Sequence, residues 1–246
     1  MVTKGVMALQ KFQKKELLYE GKAKKLYLTT EEDKLIQEFK DDATAFDGAK
    51  KGVIPHKGEI NNTISAFLFE YLENYHIPTH FFEVLSANEM IVRKLDIIPV
   101  EIVLRNVAAG SLCARYKIPE GTIMEYPVLE YYLKNDELHD PMINEYHAYA
   151  FGYATPDETK AINRIASKVN AILKSFFDRR NLVLVDFKLE FGKRGGEIFL
   201  ADEISPDTCR IWDKKTHKKL DKDRFRHDMG GVDKAYLELR DRIINA

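Results

Sequence analysis

The chain has 246 residues, 45% of them apolar and 31% charged, with 38 Lys and Arg against 39 Asp and Glu. A chain of that length and composition buries a core without disulfide staples. Its net charge of −1 argues against the basic surface of a dedicated DNA-binding domain. Cys113 and Cys209 form no C-x-x-C pair and no zinc-spaced Cys/His group, which fits a reducing, intracellular compartment. No apolar run approaches the ~20 residues that span a bilayer. The N-terminal lysines surround no apolar segment of the secretory kind.

Strands are expected over residues 16–19, 25–28 and 35–39, separated by Gly21-Lys22-Ala23-Lys24 and by Glu31-Glu32-Asp33. Residues 41–58 read as one long polar loop. Ile60, Ile64, Phe67, Leu68, Tyr71, Leu72 and Tyr75 then recur at helical spacing, with Pro78 as the stop. Strands follow over 81–85, 90–95, 100–104 and 130–133. Thr155, Pro156 and Glu158 make a capping box with proline at the first helical position. Ile162, Ile165, Val169, Ile172, Leu173 and Phe176 continue that helix as one apolar stripe. A hairpin pairs 182–191 with 197–204 across a glycine turn, and a last helix covers 232–244. Strands outnumber helices and come in hairpin-like groups, so the fold class is α+β rather than a doubly wound parallel sheet.

The hairpin carries the densest chemistry. Asp186, Lys188 and Glu190 alternate and so leave one face of their strand, while Val185, Phe187, Leu189 and Phe191 leave the other. Asp202 shares the polar face if the register has an even index sum. Such carboxylates suit Mg²⁺ with phosphate oxygens, and an ordinary solvated strand face fits the alternation equally well. Gly21, Lys22 and Lys24 can approach a phosphate, although no Walker A pattern is present and a basic turn is the commoner case. Arg105 at a strand end and Ser111 at a helix start suit an anion. An ordinary helix cap beside a surface arginine explains them too. Asp207 and Arg210 follow the hairpin directly, as a functional pair or as a turn with a surface ion pair. His76 and His80 flank Pro78 and cannot share a helix face as zinc ligands. The cysteines read as small buried hydrophobes, Trp212 as core, and Lys214, Lys215, Lys218 and Lys219 as a solvated face.

Two long segments, IIPVEIVLRNVAAGS at 97–111 and LVDFKLEFG at 184–192, closely resemble the signature motifs of the SAICAR synthetase family. YEGKAK at 19–24, KND at 134–136, DPM at 140–142, DEISPD at 202–207 and DKDRFR at 221–226 resemble family segments as well. The resemblance runs from about residue 16 to the C-terminus. It implies a two-lobed α+β fold of mostly antiparallel sheets with flanking helices, related to ATP-grasp and kinase-like nucleotide sites. Residues 1–93 would be a smaller lobe covering the nucleotide, with 1–15 an extension, and 94–246 a larger lobe carrying the metal and substrate sites. The implied activity joins L-aspartate to the carboxylate of carboxyaminoimidazole ribonucleotide (CAIR), with ATP and Mg²⁺, in purine biosynthesis. By the same resemblance Gly21, Lys22, Lys24, Lys94 and Lys134 would bind ATP, with backbone near 94–97 meeting adenine. Glu190 and Asp202 would hold Mg²⁺, Arg105, Ser111 and Arg210 would hold CAIR, and Asp47, Asp186 and Lys188 would line the reaction centre. The expected protein is a cytoplasmic homodimer acting on small molecules, with no nucleic-acid or membrane partner. A small-molecule kinase would need the same lysines and carboxylates but no acceptor amine. A non-catalytic nucleotide-binding module would need neither Glu190 nor Asp202.

Overall fold

The computed structural model describes residues 12–46 and 48–245. Its first half is built on an antiparallel hairpin of β1 (Lys14–Glu20) and β2 (Lys24–Thr29), followed by β3 (Lys34–Phe39). A two-stranded ribbon, β4 (Asp42–Ala45) and β5 (Lys50–Val53), leads into α1 (Lys57–Glu73). Next come β6 (Phe81–Val84) and β7 (Glu89–Arg93), which complete a five-stranded sheet of order β1-β2-β3-β7-β6. Of the expected extension over 1–15, residues 1–11 lie outside the described residues. Phe12 packs with Ile36, Leu85 and Ile91 beneath this sheet, and Lys14 opens its edge strand.

Two expectations fail in this half. The stretch 41–58 is not one loop, because β4 and β5 pair within it and α1 begins at Lys57. Ala43 and Ala45 face inward from β4, and a Cβ on Gly52 would lie only 3.0 Å from the Phe225 ring. Four residues of alternation are too few to stand out in sequence, and the tertiary contact with Phe225 supplies the rest. The helix also stops before Pro78. His76 takes a left-handed φ of 57°, Ile77 N–H donates to Leu72 O at 3.2 Å and His76 N–H to Glu73 O at 2.9 Å. This is a Schellman closure with histidine in the place glycine usually takes.

The second half comprises β8 (Asp96–Ile97), β9 (Val100–Val107), α2 (Ser111–Tyr116), β10 (Ile123–Leu133), β11 (Met142–Ile143) and α3 (Glu145–Ala150). It continues with α4 (Pro156–Asp178), β12 (Leu182–Arg194), β13 (Glu197–Ala201), β14 (Cys209–Asp213), α5 (Asp223–Arg226) and α6 (Val232–Ile244). The seven strands run β11-β10-β9-β12-β13, with β14 and β8 also paired to β12 and every pair antiparallel. β12 is long enough to serve two sets of neighbours: its first half lies between β9 and β14, its second between β8 and β13.

The start of α4 is as expected. Thr155 Oγ1 accepts from Glu158 N–H at 3.2 Å, and Glu158 Oε2 accepts from Thr155 N–H at 2.8 Å. Its stripe packs on β12, while α1 packs against α6 and the first sheet, and one apolar core joins them all through Phe39, Phe69, Phe176, Phe187 and Tyr236. The glycine turn of the hairpin forms with Gly195 and Gly196 at φ of 58° and 83°. Among the described residues no helix is long and apolar enough to cross a membrane.

Candidate active site

Two adjoining cavities, of about 350 and about 400 Å³, open where the first sheet meets the β12–β13 hairpin, and both are lined by Tyr19, Lys24, Lys134, Glu190 and Asp202. The first is polar and adds Gly21, Lys22, Glu101, Lys188, Glu203 and Lys222. The second is mostly apolar, walled by Leu26, Leu35, Val92, Leu95, Ile97 and Ala201, with Lys94 at its rim. A polar, cation-rich compartment joined to an apolar one matches the two halves of a nucleotide.

Charges in the polar cavity are arranged in opposed pairs. Lys24 projects from β2 onto Asp202 and lies 2.8 Å from Glu203 Oε1. Lys188 Nζ donates to Glu101 Oε1 at 2.8 Å and Glu190 Oε1 at 2.5 Å, and stands 3.8 Å from Asp202 Oδ2. Lys134 takes the other oxygen of Glu190, and Lys22 pairs with Asp136 at 2.6 Å. Burial alone would lower the Lys24 and Lys188 pKa values, but the surrounding carboxylates overcome it and raise both well above the usual lysine range. Burial would likewise raise Glu190, yet the ammonium groups of Lys188, Lys134 and Lys24 hold it well below the usual carboxylate range. Lys24, Lys188 and Glu190 are therefore charged at neutral pH, and a phosphate chain entering the cavity would take over lysine contacts that carboxylates now make.

Asp202 reaches this face by a different route from the one the strand pattern suggests. Glu190 lies opposite Ala201, an odd index sum, so regular pairing would put Asp202 on the apolar face. β13 instead ends at Ala201, and Asp202 adopts a left-handed φ of 64° that turns its carboxylate back to Lys24 and Lys188. One ammonium nitrogen, Lys188 Nζ, approaches both Glu190 and Asp202. A cation in that neighbourhood can thus meet two carboxylates, the donor set Mg²⁺ uses beside phosphate oxygens. Among the described residues no cluster of three or more His, Cys, Asp or Glu side chains is arranged to hold a metal unaided.

Beyond Lys188 on the same face of β12, Asp186 is the centre of a second cluster. Strand register places Arg105 of β9 and Arg210 of β14 opposite it on either side. Both guanidinium groups donate to Asp186 Oδ2 at 2.8 Å. Arg105 also donates to Glu130 Oε2 at 2.7 Å and to Ser111 Oγ at 3.1 Å, and Arg210 to Asp223 Oδ2 at 2.8 Å. Gly110 permits this approach: it sits at φ 53°, ψ −129°, and a Cβ there would fall 2.6 Å from Arg210 Nη2.

The fold thus gathers Gly21, Lys22, Lys24, Lys134, Lys188, Glu190 and Asp202 around the polar cavity, puts Lys94 on the apolar one, and groups Arg105, Ser111, Asp186 and Arg210 beside them. Asp47 lies outside the described residues. Sequence reasoning missed Glu101, Glu130 and Glu203, which orient the cations, and a buried network at the wall of the polar cavity, which Asp207 and Lys222 line. There Lys57 Nζ donates to Asp207 Oδ2 at 2.8 Å, Tyr236 OH donates to Asp207 Oδ1 at 2.7 Å, and Lys222 stands 3.8 Å away. Burial, with the Lys57 charge nearby, depresses the Lys222 pKa. These residues come from four distant segments, and only Asp207 and Lys222 fall in stretches with any motif. Burial pushes the Cys209 thiol far up, and Trp212 is buried, as small-hydrophobe and core readings require, whereas Cys113 is only half-buried and departs from that reading. Lys219 is no solvated side chain, since it pairs with Glu120 at 2.9 Å over the Trp212 ring.

Two antiparallel sheets closing on a lysine- and carboxylate-lined cleft, with an arginine-carboxylate cluster alongside, define a two-lobed α+β enzyme of the nucleotide-using kind. The chain belongs to the SAICAR synthetase family, whose model matches residues 17–243. A phosphoribosylaminoimidazole-succinocarboxamide synthase of Caldanaerobacter subterraneus subsp. tengcongensis is 58% identical over 231 residues, 94% of this chain and 98% of its own. The crystal structure of the synthase of that name from Ehrlichia chaffeensis is 46% identical and superposes with a TM-score of 0.91, covering 93% of this chain and 98% of that one. A SAICAR synthetase in complex with ADP is 55% identical, with a TM-score of 0.91 and coverage of 94% and 98%.

Proposed function

We infer that the chain ligates L-aspartate to the carboxylate of CAIR at the expense of ATP, giving SAICAR, ADP and phosphate in purine biosynthesis. The observation that carries this reading is the paired cavity, apolar beside cationic, in a chain so similar to a relative solved with ADP. The apolar cavity takes adenine, with Lys94 at its rim. Gly21, Lys22, Lys24 and Lys134 take the phosphates. Arg105, Ser111 and Arg210 hold CAIR, with Asp186 fixing the two guanidinium groups at a common distance. Glu190 and Asp202 would hold Mg²⁺, which when bound neutralises charge on the phosphates.

A carboxylate is a poor acyl donor until one oxygen becomes a good leaving group. In the proposed sequence a CAIR carboxylate oxygen attacks the γ-phosphorus and ADP leaves, producing an acyl phosphate. The neutral aspartate amine then attacks the acyl carbon, phosphate departs, and the amine proton passes to a carboxylate. Asp47 and Asp186 are the proposed acceptors. Lys188, two residues from Asp186 on the same strand face, screens the charge between the phosphate and CAIR ends of the cleft. Aligning three reactants in one cleft supplies much of the rate.

The proposal extends to a cytoplasmic homodimer without nucleic-acid or membrane partners, and sedimentation tests the assembly. The decisive experiment mixes protein, ATP, Mg²⁺, CAIR and aspartate. ADP release should require CAIR, and the succinyl adduct should require aspartate too. ADP release with a sugar or alcohol acceptor, and none with CAIR, would make the protein a small-molecule kinase instead.

A further inference from the structure

The apolar cavity contains a polar group that the strand pattern does not call for. Leu35, Gln37 and Phe39 alternate along β3 and are all buried, and the two apolar members join the main core. Gln37 occupies the inward position between them, is only 3% exposed, and lines the cavity. Its Nε2 donates to the backbone carbonyl of Asp202 at 3.2 Å and approaches Met90 Sδ at 4.0 Å. Flipping the amide would set Oε1 against the Asp202 carbonyl, acceptor against acceptor, so the orientation is fixed. Oε1 makes no hydrogen bond with any described residue. That oxygen is not among the sealed, unpaired polar atoms of the interior, so it stays open to the cavity that Gln37 lines, and a base that fills the cavity without offering a donor would strip its water and replace nothing.

We propose that Gln37 reads the 6-position of the purine in this cavity, its Oε1 accepting a hydrogen bond from the exocyclic amino group of adenine. The proposal rests on the cleft being a nucleoside triphosphate site and deepens that reading, since it names what selects the base. Guanine offers an acceptor, O6, at the same position and meets the pinned amide oxygen with like polarity. A purine with hydrogen at position 6 leaves Oε1 unpaired. Arg93 also lines the cavity but is committed to the carbonyl oxygens of Thr79 and Phe81, and beside it stands His80 with Nε2 unpaired. Burial brings its pKa down to about 4, so it is neutral at working pH.

The test compares kcat/KM for ATP, GTP and purine riboside triphosphate, which has no 6-substituent, in the wild-type protein and in Gln37→Met. Methionine keeps length and volume and removes the acceptor. The wild type should prefer ATP over the unsubstituted purine by about ten- to a hundred-fold, as sites that leave a buried polar group unpaired do. In Gln37→Met that ratio should shrink to roughly threefold or less, and kcat/KM for GTP should improve relative to that for ATP. Calorimetric binding of ADP, GDP and purine riboside diphosphate to the wild type gives the same comparison without turnover or a variant. Equal binding of the three diphosphates, or full ATP preference retained in Gln37→Met, overturns the assignment. Base-selective binding by a wild-type protein that forms no adduct from CAIR would leave Gln37 standing and sink the ligase reading.

Discussion

Arg105 donates to Glu130, Asp186 and Ser111 at once and is 3% exposed. A lysine carries one charge centre and cannot span that set, so Arg105→Lys should raise KM for CAIR far more than KM for ATP. Arg105→Ala removes one of the two cations on each of two buried carboxylates, since Asp186 keeps Arg210 and Glu130 keeps Arg115; losing such charged hydrogen bonds costs about 1.5–3 kcal/mol, and urea unfolding should register it. A rise confined to the ATP KM would move Arg105 to the nucleotide site. Asp221 makes a different prediction. Burial, followed by the neighbouring Asp223 carboxylate, brings its pKa from 3.8 up to about 7, although Ile211 and Asp223 N–H groups donate to its oxygens at 2.9 and 2.8 Å. A folded pKa above the unfolded one means stability that is complete below pH 3.8 and is lost as pH rises through about 7. The melting temperature should therefore decline from pH 5 to pH 8, and Asp221→Asn should flatten that decline. An unchanged slope in the variant would show that other groups set it.

At the scale of elements, the junction of β9 and α2 is the most constrained. Gly110→Ala puts a side chain into backbone space suited to glycine, at a cost of roughly 1–3 kcal/mol, and pushes on the Arg210 guanidinium. The expected result is a higher CAIR KM with little change for ATP; equal loss for both would point to collapse of the whole cleft. The cap of α4 serves only its helix. Thr155→Ala should cost ~1 kcal/mol, or about 2–4 °C in Tm for a chain of this size, and leave kinetics alone. That helix was legible in sequence because cap, proline and stripe agree over many residues, and α6 (Val232–Ile244) was legible through its spacing. The β4–β5 ribbon was not, since Ala43 and Ala45 give too short a pattern. The site was half legible. Asp186, Lys188 and Glu190 follow from strand alternation, and the motifs supplied Lys24 and Arg210. Asp202 joins them only through a left-handed turn, and Glu130, Lys57 and Tyr236 only through tertiary packing, neither of which has a local signal.

The whole molecule closes on its cleft through charge. Lys24 of the first sheet meets Asp202 and Glu203 beyond the second, and Gln37 and Arg194–Asp33 add links between the two halves. Glu190 and Asp202 are thus not a bare repulsive pair awaiting a metal, because each already neutralises lysines that line the cleft. Replacing either by its amide, Glu190→Gln or Asp202→Asn, leaves an ammonium under-compensated. The pairs are half-buried, Lys24 keeps Glu203 and Lys188 keeps Glu101, so the cost is that of a charged hydrogen bond, about 1.5–3 kcal/mol, or roughly 3–12 °C in Tm. ATP should restore part of that loss, since its phosphates return negative charge to Lys24 and Lys134. Catalysis should not recover in step. Loss of an electrostatic group aimed at the transition state lowers kcat on the order of 10²–10³-fold, and the Mg²⁺ concentration for half-maximal rate should climb because a carboxylate oxygen is gone. Melting curves with and without ATP, beside Mg²⁺ titrations of the rate, separate the two roles. A lowered Tm with normal rate and normal Mg²⁺ midpoint in both variants would reduce these carboxylates to struts between the sheets, and the metal would have to be held elsewhere.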